Sequence, residues 1–200
     1  MSTPQPFPAH EAAEYAGTAL AFHFINRVVS SLLSEQMLPG GLEKYRLVRR
    51  TAGRSLAATV RRELRPGTSL PLLGTTGEAP PWAAGSPVGT AYGALRTAAY
   101  QGAGLLGDED AAFIRQSVAA WDGVTPLPLA ARLPERTDRP GARLALLAAR
   151  APYRITDEDV AAWRVPPFTD HCLVHLIAFG AICAVERVEA VMRTAAVERT

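Results

Sequence analysis

The sequence predicts an all-α protein, a bundle of about six to seven helices with a central loop rich in proline and glycine. Three observations support this fold class. Apolar residues recur at helical spacing in several segments longer than ten residues. Proline, glycine and capping residues separate these segments. Nowhere do apolar and polar residues alternate convincingly as they do in a half-buried β-strand.

The first predicted helix covers residues 10–34 and stops before the Leu38-Pro39-Gly40-Gly41 sequence. Its apolar side chains surround most of the helix, so we expect it to be largely buried. These side chains are Leu20, Phe22, Phe24, Ile25, Val28, Val29, Leu32 and Leu33. A narrow polar stripe at positions i, i+3, i+4 and i+7 consists of His23, Asn26, Arg27 and Ser30.

A strongly basic amphipathic helix is predicted next, over residues 42–64. Residues 43–65 contain eight basic side chains and two acidic ones, so this segment could bind a polyanion. It has one aromatic residue, Tyr45, and no recognised nucleic-acid motif. The sequence therefore favours a solvated or subunit-facing helix, and nucleic acid is not the partner we expect.

The central loop covers residues 66–87, which include five prolines and four glycines. Leu70, Leu72, Leu73 and Trp82 are available to anchor it. We expect residues 1–9 to be a flexible N-terminus and residues 10–200 to form one helical domain. The alternative is a pair of sub-lobes, 10–65 and 88–195, joined by this loop.

Five further helices follow the loop, of which the first four are short. The pattern predicts helices over residues 88–102 and 108–121, the second with the acidic first turn Asp108-Glu109-Asp110. A proline-rich connection over 122–134 precedes a helix that ends at residue 150. The sequence Asp138-Arg139-Pro140 provides an N-cap signal for the start of this helix, with the proline at or near its first turn. Thr156 and Asp159 resemble a capping box, which predicts a short helix through residue 164.

The last predicted helix is long, and Thr169 or Asp170 caps its start. Its expected apolar face consists of Val174, Ile177, Ala178, Ala181, Ile182 and Val185. Both cysteines of the chain, Cys172 and Cys183, lie on this helix. Eleven residues at roughly 1.5 Å each separate them by about 16 Å, whereas a disulfide needs Cα atoms within about 7 Å. We therefore expect two reduced thiols.

The sequence predicts a cytoplasmic protein. The most apolar stretch that we identify, residues 18–33, is interrupted by polar side chains, so no membrane-spanning helix is expected. The N-terminal residues lack a basic region and contain Glu11 and Glu14 where a signal peptide becomes apolar. Export is therefore not expected.

The densest group of reactive side chains is Cys172 with His171 and His175. A thiol at a helix N-terminus beside an imidazole can be a nucleophile, with Cys172 and His175 as the reacting pair. The same side chains could bind zinc. The interpretation that we favour is simple packing and solvation, and we predict neither a metal nor a cofactor. Cys183 lies among apolar residues and is predicted to belong to the core.

The polar stripe is a second candidate site. His23 could work with Glu14 or Tyr15 in acid/base chemistry within a helix-lined pocket. Asn26, Arg27 and Ser30 would line that pocket or form a structural hydrogen-bond network, because buried polar groups need partners. The structural role is the one that we favour.

Three stretches carry a family resemblance: AFHFINRVVSSLL at 21–33, RPGTSLPLLG at 65–74 and ARLALLAARAPYRITDEDVAAW at 142–163. They resemble the C-terminal part of actinobacterial proteins of the alkylhydroperoxidase AhpD-like, carboxymuconolactone decarboxylase superfamily. The resemblance implies an all-α bundle, a tendency to form homo-oligomers and a structural role for Asn26 and Arg27. Catalytic members carry a CxxC pair, which this chain lacks.

Three functions follow as alternatives. The leading one is a non-redox AhpD-like protein, a structural or partner subunit that combines with a separate CxxC-bearing chain. The second is an enzyme that uses either Cys172 with His175 as a thiol peroxidase or His23 with Glu14 in decarboxylase-like acid/base chemistry. The third is a polyanion-binding module that uses the basic segment 43–65.

Overall fold

The computed structural model describes residues 8–32 and 65–197. Within these ranges it contains six α-helices and short 3-10 turns, and every regular element is helical. The α-helices are α1 (Ala12–Leu32), α2 (Pro87–Tyr100), α3 (Asp108–Ala119), α4 (Pro140–Arg150), α5 (Asp157–Trp163) and α6 (Asp170–Val197). The predicted all-α fold class is confirmed. The predicted basic helix 42–64 lies outside the described residues.

Local sequence signals fix several helix starts. Thr156 and Asp159 form the predicted capping box, in which each side chain bonds to the other residue's backbone N–H. Pro140 occupies the first turn of α4, as predicted. The preceding Asp138 provides no cap, because Arg139 occupies the N-cap position without a side-chain bond to the helix. The capping part of that prediction was wrong.

The long C-terminal helix α6 lies at the centre of the described bundle. It packs against α1, α2, α3 and α4 and against a 3-10 turn, Gln101–Leu105. Most of the predicted apolar face is buried, including Ile177, Ile182 and Val185. Val174 is an exception, with 45% of its surface exposed. It lies in the second turn of α6.

The core consists of two clusters of buried side chains. The larger one joins α3, α4 and α6 around Ile114, Leu144, Leu176 and Phe179. The smaller one joins α1, α2 and α6, with Leu20 and Tyr92 among its members. Half-buried Val28 of α1 also packs against the larger cluster. Apolar contacts of this kind supply most of the driving force for folding.

The first helix is much less buried than its composition predicts. Its buried residues are Gly17, Leu20 and Ser31, whereas Phe22, Ile25 and Val29 are exposed. α1 packs against α6, α2, α4 and the 3-10 turn Pro152–Arg154, and these contacts leave apolar residues elsewhere on the helix largely uncovered. The expectation of a largely buried first helix was wrong.

The central loop is irregular, as predicted, with two single-turn 3-10 helices at Leu70–Leu72 and Pro81–Ala83. Trp82 anchors the loop, because its indole N–H donates to a carboxylate oxygen of Glu189 on α6 at 2.9 Å. Leu72 does not anchor it, since this side chain is 85% exposed.

Two glycines permit unusually close contacts of α6. A Cβ on Gly180 would lie 2.2 Å from the carbonyl oxygen of Ala145 on α4. A Cβ on Gly102 would lie 1.9 Å from the carbonyl oxygen of His175. Only a residue without a side chain lets the backbones approach this closely.

By length and composition, residues Asp170–Thr194 of α6 could cross a membrane. The sequence analysis identified residues 18–33 as the most apolar stretch and did not anticipate this. In the structure, 56% of the most apolar window of α6 is buried. The core helix of a soluble protein has the same composition, so this helix is weak evidence for a membrane.

Candidate functional site

Cys172 lies in the first turn of α6, and Thr169 sets its surroundings. The Thr169 hydroxyl accepts a hydrogen bond from the Cys172 backbone N–H at 3.4 Å and approaches the Cys172 sulfur at 3.4 Å. Of the two predicted caps, Thr169 is therefore the one with a capping bond. The side-chain and backbone hydrogen bonds from Thr169 lower the pKa of the Cys172 thiol below its ordinary value.

His175 is paired with His171 rather than with Cys172. The Nε2 atoms of the two imidazoles are 3.1 Å apart, and their rings meet edge to face. The structure thus brings the two histidines together one turn apart, as their spacing predicts. The thiol-peroxidase hypothesis assigns His175 to Cys172 as its base. The contact that the structure shows for the His175 imidazole is with His171.

Cys183 lies three turns further along the same unbroken helix and belongs to the larger core cluster, as predicted. Both cysteines are free thiols. An uninterrupted helix keeps them about 16 Å apart. Burial raises the pKa of Cys183 to about 12, and the nearby Glu186 carboxylate adds to the effect. Cys183 therefore remains a protonated thiol at neutral pH and a poor nucleophile.

A cleft of about 270 Å³ opens beside Cys183. Its polar lining groups come from Tyr100, Arg115, Glu186 and Arg187. The Tyr100 hydroxyl donates to one Glu186 carboxylate oxygen, and Arg96 donates to the other at 2.6 Å. Burial and the hydrogen bond to Glu186 raise the pKa of Tyr100, so this hydroxyl is a donor throughout the neutral range.

A second carboxylate, Glu189, lies one turn beyond Glu186 and is 8% exposed. Its two oxygens accept hydrogen bonds from Trp82 and from the Tyr92 hydroxyl, both at 2.9 Å. Burial and the Glu189 carboxylate raise the pKa of Tyr92. The carboxylates of α6 thus join the central loop and α2 through a buried polar network.

The sequence analysis did not anticipate this network, because it proposed no contacts for Glu186 or Glu189. One signal could have revealed it. Two glutamates three residues apart follow directly after the apolar run of α6, and the preceding loop and helix offer Trp82, Tyr92 and Tyr100 as donors. Buried carboxylates need such donors, so a search for them would have favoured this pairing.

The polar stripe of α1 divides into exposed and packed members. His23, Asn26 and Ser30 are exposed. Arg27 is half-buried, and its Nε donates to the Ala149 carbonyl oxygen at 3.1 Å. Its guanidinium also lies 3.4 Å from His23 Nδ1. Burial, and then the charge of Arg27, lower the pKa of His23.

Glu14 and Tyr15 lie near the start of α1, and both are exposed. They border a shallow surface hollow with Phe22. His23 is nine residues after Glu14 on the same helix, a rise of roughly 13 Å, and it does not line that hollow. Proton transfer between His23 and Glu14 would need an intervening group.

Among residues 8–32 and 65–197, no group of three or more His, Cys, Asp and Glu side chains is placed to hold a metal ion. The histidine pair of α6 supplies two imidazoles, one fewer than a protein zinc site normally uses.

Comparison with known proteins adds one informative relative. No family model matches the sequence, and no solved structure matches it. A protein of Mycobacterium tuberculosis named alkyl hydroperoxide reductase is 40% identical to this chain over 196 residues. The match covers 92% of this chain and 56% of the relative, so the chain spans about half the length of the curated relative that it matches. Together with the all-α architecture, this similarity supports the AhpD-like family that the sequence resembles.

Proposed function

We propose that this chain is a non-dithiol AhpD-like module that acts beside a separate CxxC-bearing segment or chain. The observation that carries the proposal is the placement of Cys172 and Cys183 on one unbroken helix. A two-thiol cycle needs a second thiol within about 7 Å between Cα atoms, and helix α6 holds the pair roughly 16 Å apart.

The exposed apolar side of α1 supports the partner role. Phe22 is 64% exposed and Ile25 is 53% exposed, and they lie near Val29 on the same side of the helix. Contiguous exposed apolar surface of this kind is typical of protein interfaces. The similarity to a protein named alkyl hydroperoxide reductase supports hydroperoxide reduction as the process in which the module takes part. A cytoplasmic location belongs to the same proposal.

Co-expression with a short CxxC-bearing AhpD-like chain, followed by size-exclusion chromatography, tests the partner role. We expect a complex that Phe22→Glu weakens, because this change places a charge in the apolar contact. Ala161→Glu, at an exposed position on α5, is the matched control and should leave the complex intact. If the two chains elute separately at micromolar concentrations, the partner role is wrong.

A single-thiol hydroperoxide reductase is the second candidate, and the contact between Thr169 and Cys172 favours it. The Cys172 thiolate would attack the distal oxygen of a hydroperoxide. An S–O bond forms, the O–O bond breaks, and the alcohol leaves after taking up a proton. An external thiol would then displace water from the sulfenic acid to give a mixed disulfide, and a further thiol would release the reduced enzyme.

Peroxide consumption in the presence of a dithiol reductant separates the two candidates. The non-dithiol module predicts no turnover above the uncatalysed rate for the chain alone. The single-thiol enzyme predicts turnover that Cys172→Ser abolishes and Cys183→Ser leaves unchanged. Formation of a disulfide between Cys172 and Cys183 within one folded chain would contradict both candidates, because α6 would have to break.

A further inference from the structure

Three arginine side chains from three different helices meet at Trp121. The guanidinium carbon of Arg150, at the end of α4, lies 4.6 Å from the centre of the indole ring. That of Arg27, on α1, lies 5.9 Å from the same centre. Arg187 of α6 donates from Nε to the Trp121 carbonyl oxygen. Cation–π contacts explain part of this arrangement, because an indole face attracts cations.

Acidic groups balance these three cations only in part among the described residues. The carboxylate that attracts Arg150 is Asp122, and its oxygens already accept hydrogen bonds from the backbone and hydroxyl of Thr125 and from the Val124 N–H. The ion pairs found between described residues engage other arginines, among them Arg96 with Glu186. The Trp121 arginine cluster, defined as Arg27, Arg150 and Arg187, therefore carries excess positive charge.

Arg150 also has an unused donor. Its Nε is buried and has no hydrogen-bond acceptor among the described residues. Its terminal nitrogen makes a long contact of 3.5 Å to the Thr125 carbonyl oxygen, which already accepts the Trp121 indole N–H at 2.7 Å. The terminal nitrogen of Arg150 is therefore weakly used, and an anion there would supply charge-assisted hydrogen bonds that the shared carbonyl oxygen does not.

Exposed residues border the cluster. Exposed His23 contacts Arg27, and exposed Asp122 and Thr125 border Arg150. The donors that Arg27 uses are directed to a helix-end carbonyl and to His23, neither of which is a charged partner. An anion can therefore approach the guanidinium groups without displacing an ion pair.

We propose that the Trp121 arginine cluster binds a small dianionic oxyanion, the chemistry shared by a phosphate group and a dicarboxylate. Planar guanidinium groups match such oxygens with pairs of parallel N–H donors. A dianion is favoured over a monoanion because more than one uncompensated cation faces the site. The site does not depend on the thiols, so it is independent of the function proposed above.

Isothermal titration calorimetry at constant ionic strength tests this proposal with inorganic phosphate, succinate and acetate as probes. We expect saturable binding of phosphate or succinate, and the tighter of the two identifies the source of the dianion. Acetate should bind at least about tenfold more weakly, because it carries half the charge. Absence of saturable binding by either dianion, or equal binding of acetate, would overturn the proposal without any variant.

Two variants localise the binding. Arg150→Gln removes the unused donor and one charge, and should weaken dianion binding by about tenfold or more. Arg132→Gln is the matched control, because Arg132 is an exposed arginine in the connection 122–134. This change should alter the affinity for the dianion less than twofold. Should Arg150→Gln fail to fold, as judged by its circular dichroism, Arg27→Gln takes its place. If the control variant weakens dianion binding equally, the binding depends on the net charge of the protein and not on this cluster, and the proposed site is refuted.

Discussion

Replacement of Glu189 by alanine tests the buried polar network most directly. The change removes the acceptor for two donors, the indole N–H of Trp82 and the hydroxyl of Tyr92. Tyr92 is 3% exposed, so its hydroxyl has little access to bulk water. Each buried donor without an acceptor costs about 1–3 kcal/mol. Because Trp82 is only half-buried, we expect the free energy of unfolding to fall by about 2–5 kcal/mol.

Two further variants grade this effect. Glu189→Gln keeps one acceptor oxygen and places an amide N–H₂ opposite the other donor, so we expect a loss of about 1–3 kcal/mol. Glu135→Ala, an exposed glutamate in a connection, should change stability by less than about 0.5 kcal/mol. Urea denaturation followed by far-ultraviolet circular dichroism measures all three values.

The central loop provides a second measurement on the same variant. The bond to Trp82 anchors this loop to α6, so limited proteolysis within 66–87 should be faster in Glu189→Ala than in Glu189→Gln. A loss of stability no larger than that of Glu135→Ala would refute the reasoning, because it would mean that Glu189 does not satisfy the two buried donors.

Three other predictions concern acid stability, helix contact and thiol reactivity. Burial alone would raise the pKa of Asp159, but hydrogen bonds from two arginines outweigh it and hold the pKa below its ordinary value. The stabilisation that ionised Asp159 provides is therefore present above about pH 4 and is lost as the pH falls through the lowered pKa. Asp159→Asn should lower the free energy of unfolding by about 2–3 kcal/mol at pH 7 and flatten the acid denaturation curve. Gly180→Ala places a Cβ 2.2 Å from a carbonyl oxygen of α4 and should destabilise the protein in thermal melts by about 1–3 kcal/mol, despite its better helix propensity, whereas Gly104→Ala meets no atom within 4 Å and should be nearly neutral. In native protein at pH 8, iodoacetamide should alkylate Cys172 and spare Cys183; the reverse order by mass spectrometry would show that burial does not control the two thiols.

Features that depend on neighbouring residues were predictable from the sequence. The capping box of α5 needs two side chains three residues apart, and the start of α4 needs one proline at the first turn. The distance between Cys172 and Cys183 follows from helix geometry alone. In each of these cases the interacting groups lie within one segment, so the sequence contains the whole interaction.

Features that depend on distant residues were not predictable. Tyr92 and Glu189 are 97 positions apart, and Arg27 reaches a carbonyl oxygen 122 positions away. The composition of α1 does not say which of its sides meets α6, and for that reason Phe22 was expected inside and lies outside. The contacts of Glu186 and Glu189 were not anticipated for the same reason, because their partners lie in the central loop and on α2.

The central position of α6 has a consequence for synthesis on the ribosome. Helices α1 to α4 are made before α6, yet each of them packs against it. Until residues 170–197 have left the exit tunnel, the sides of those four helices that face α6 lack this partner. Closure of the bundle therefore waits for the synthesis of α6, and until then the nascent chain exposes the apolar surface that α6 covers to chaperones.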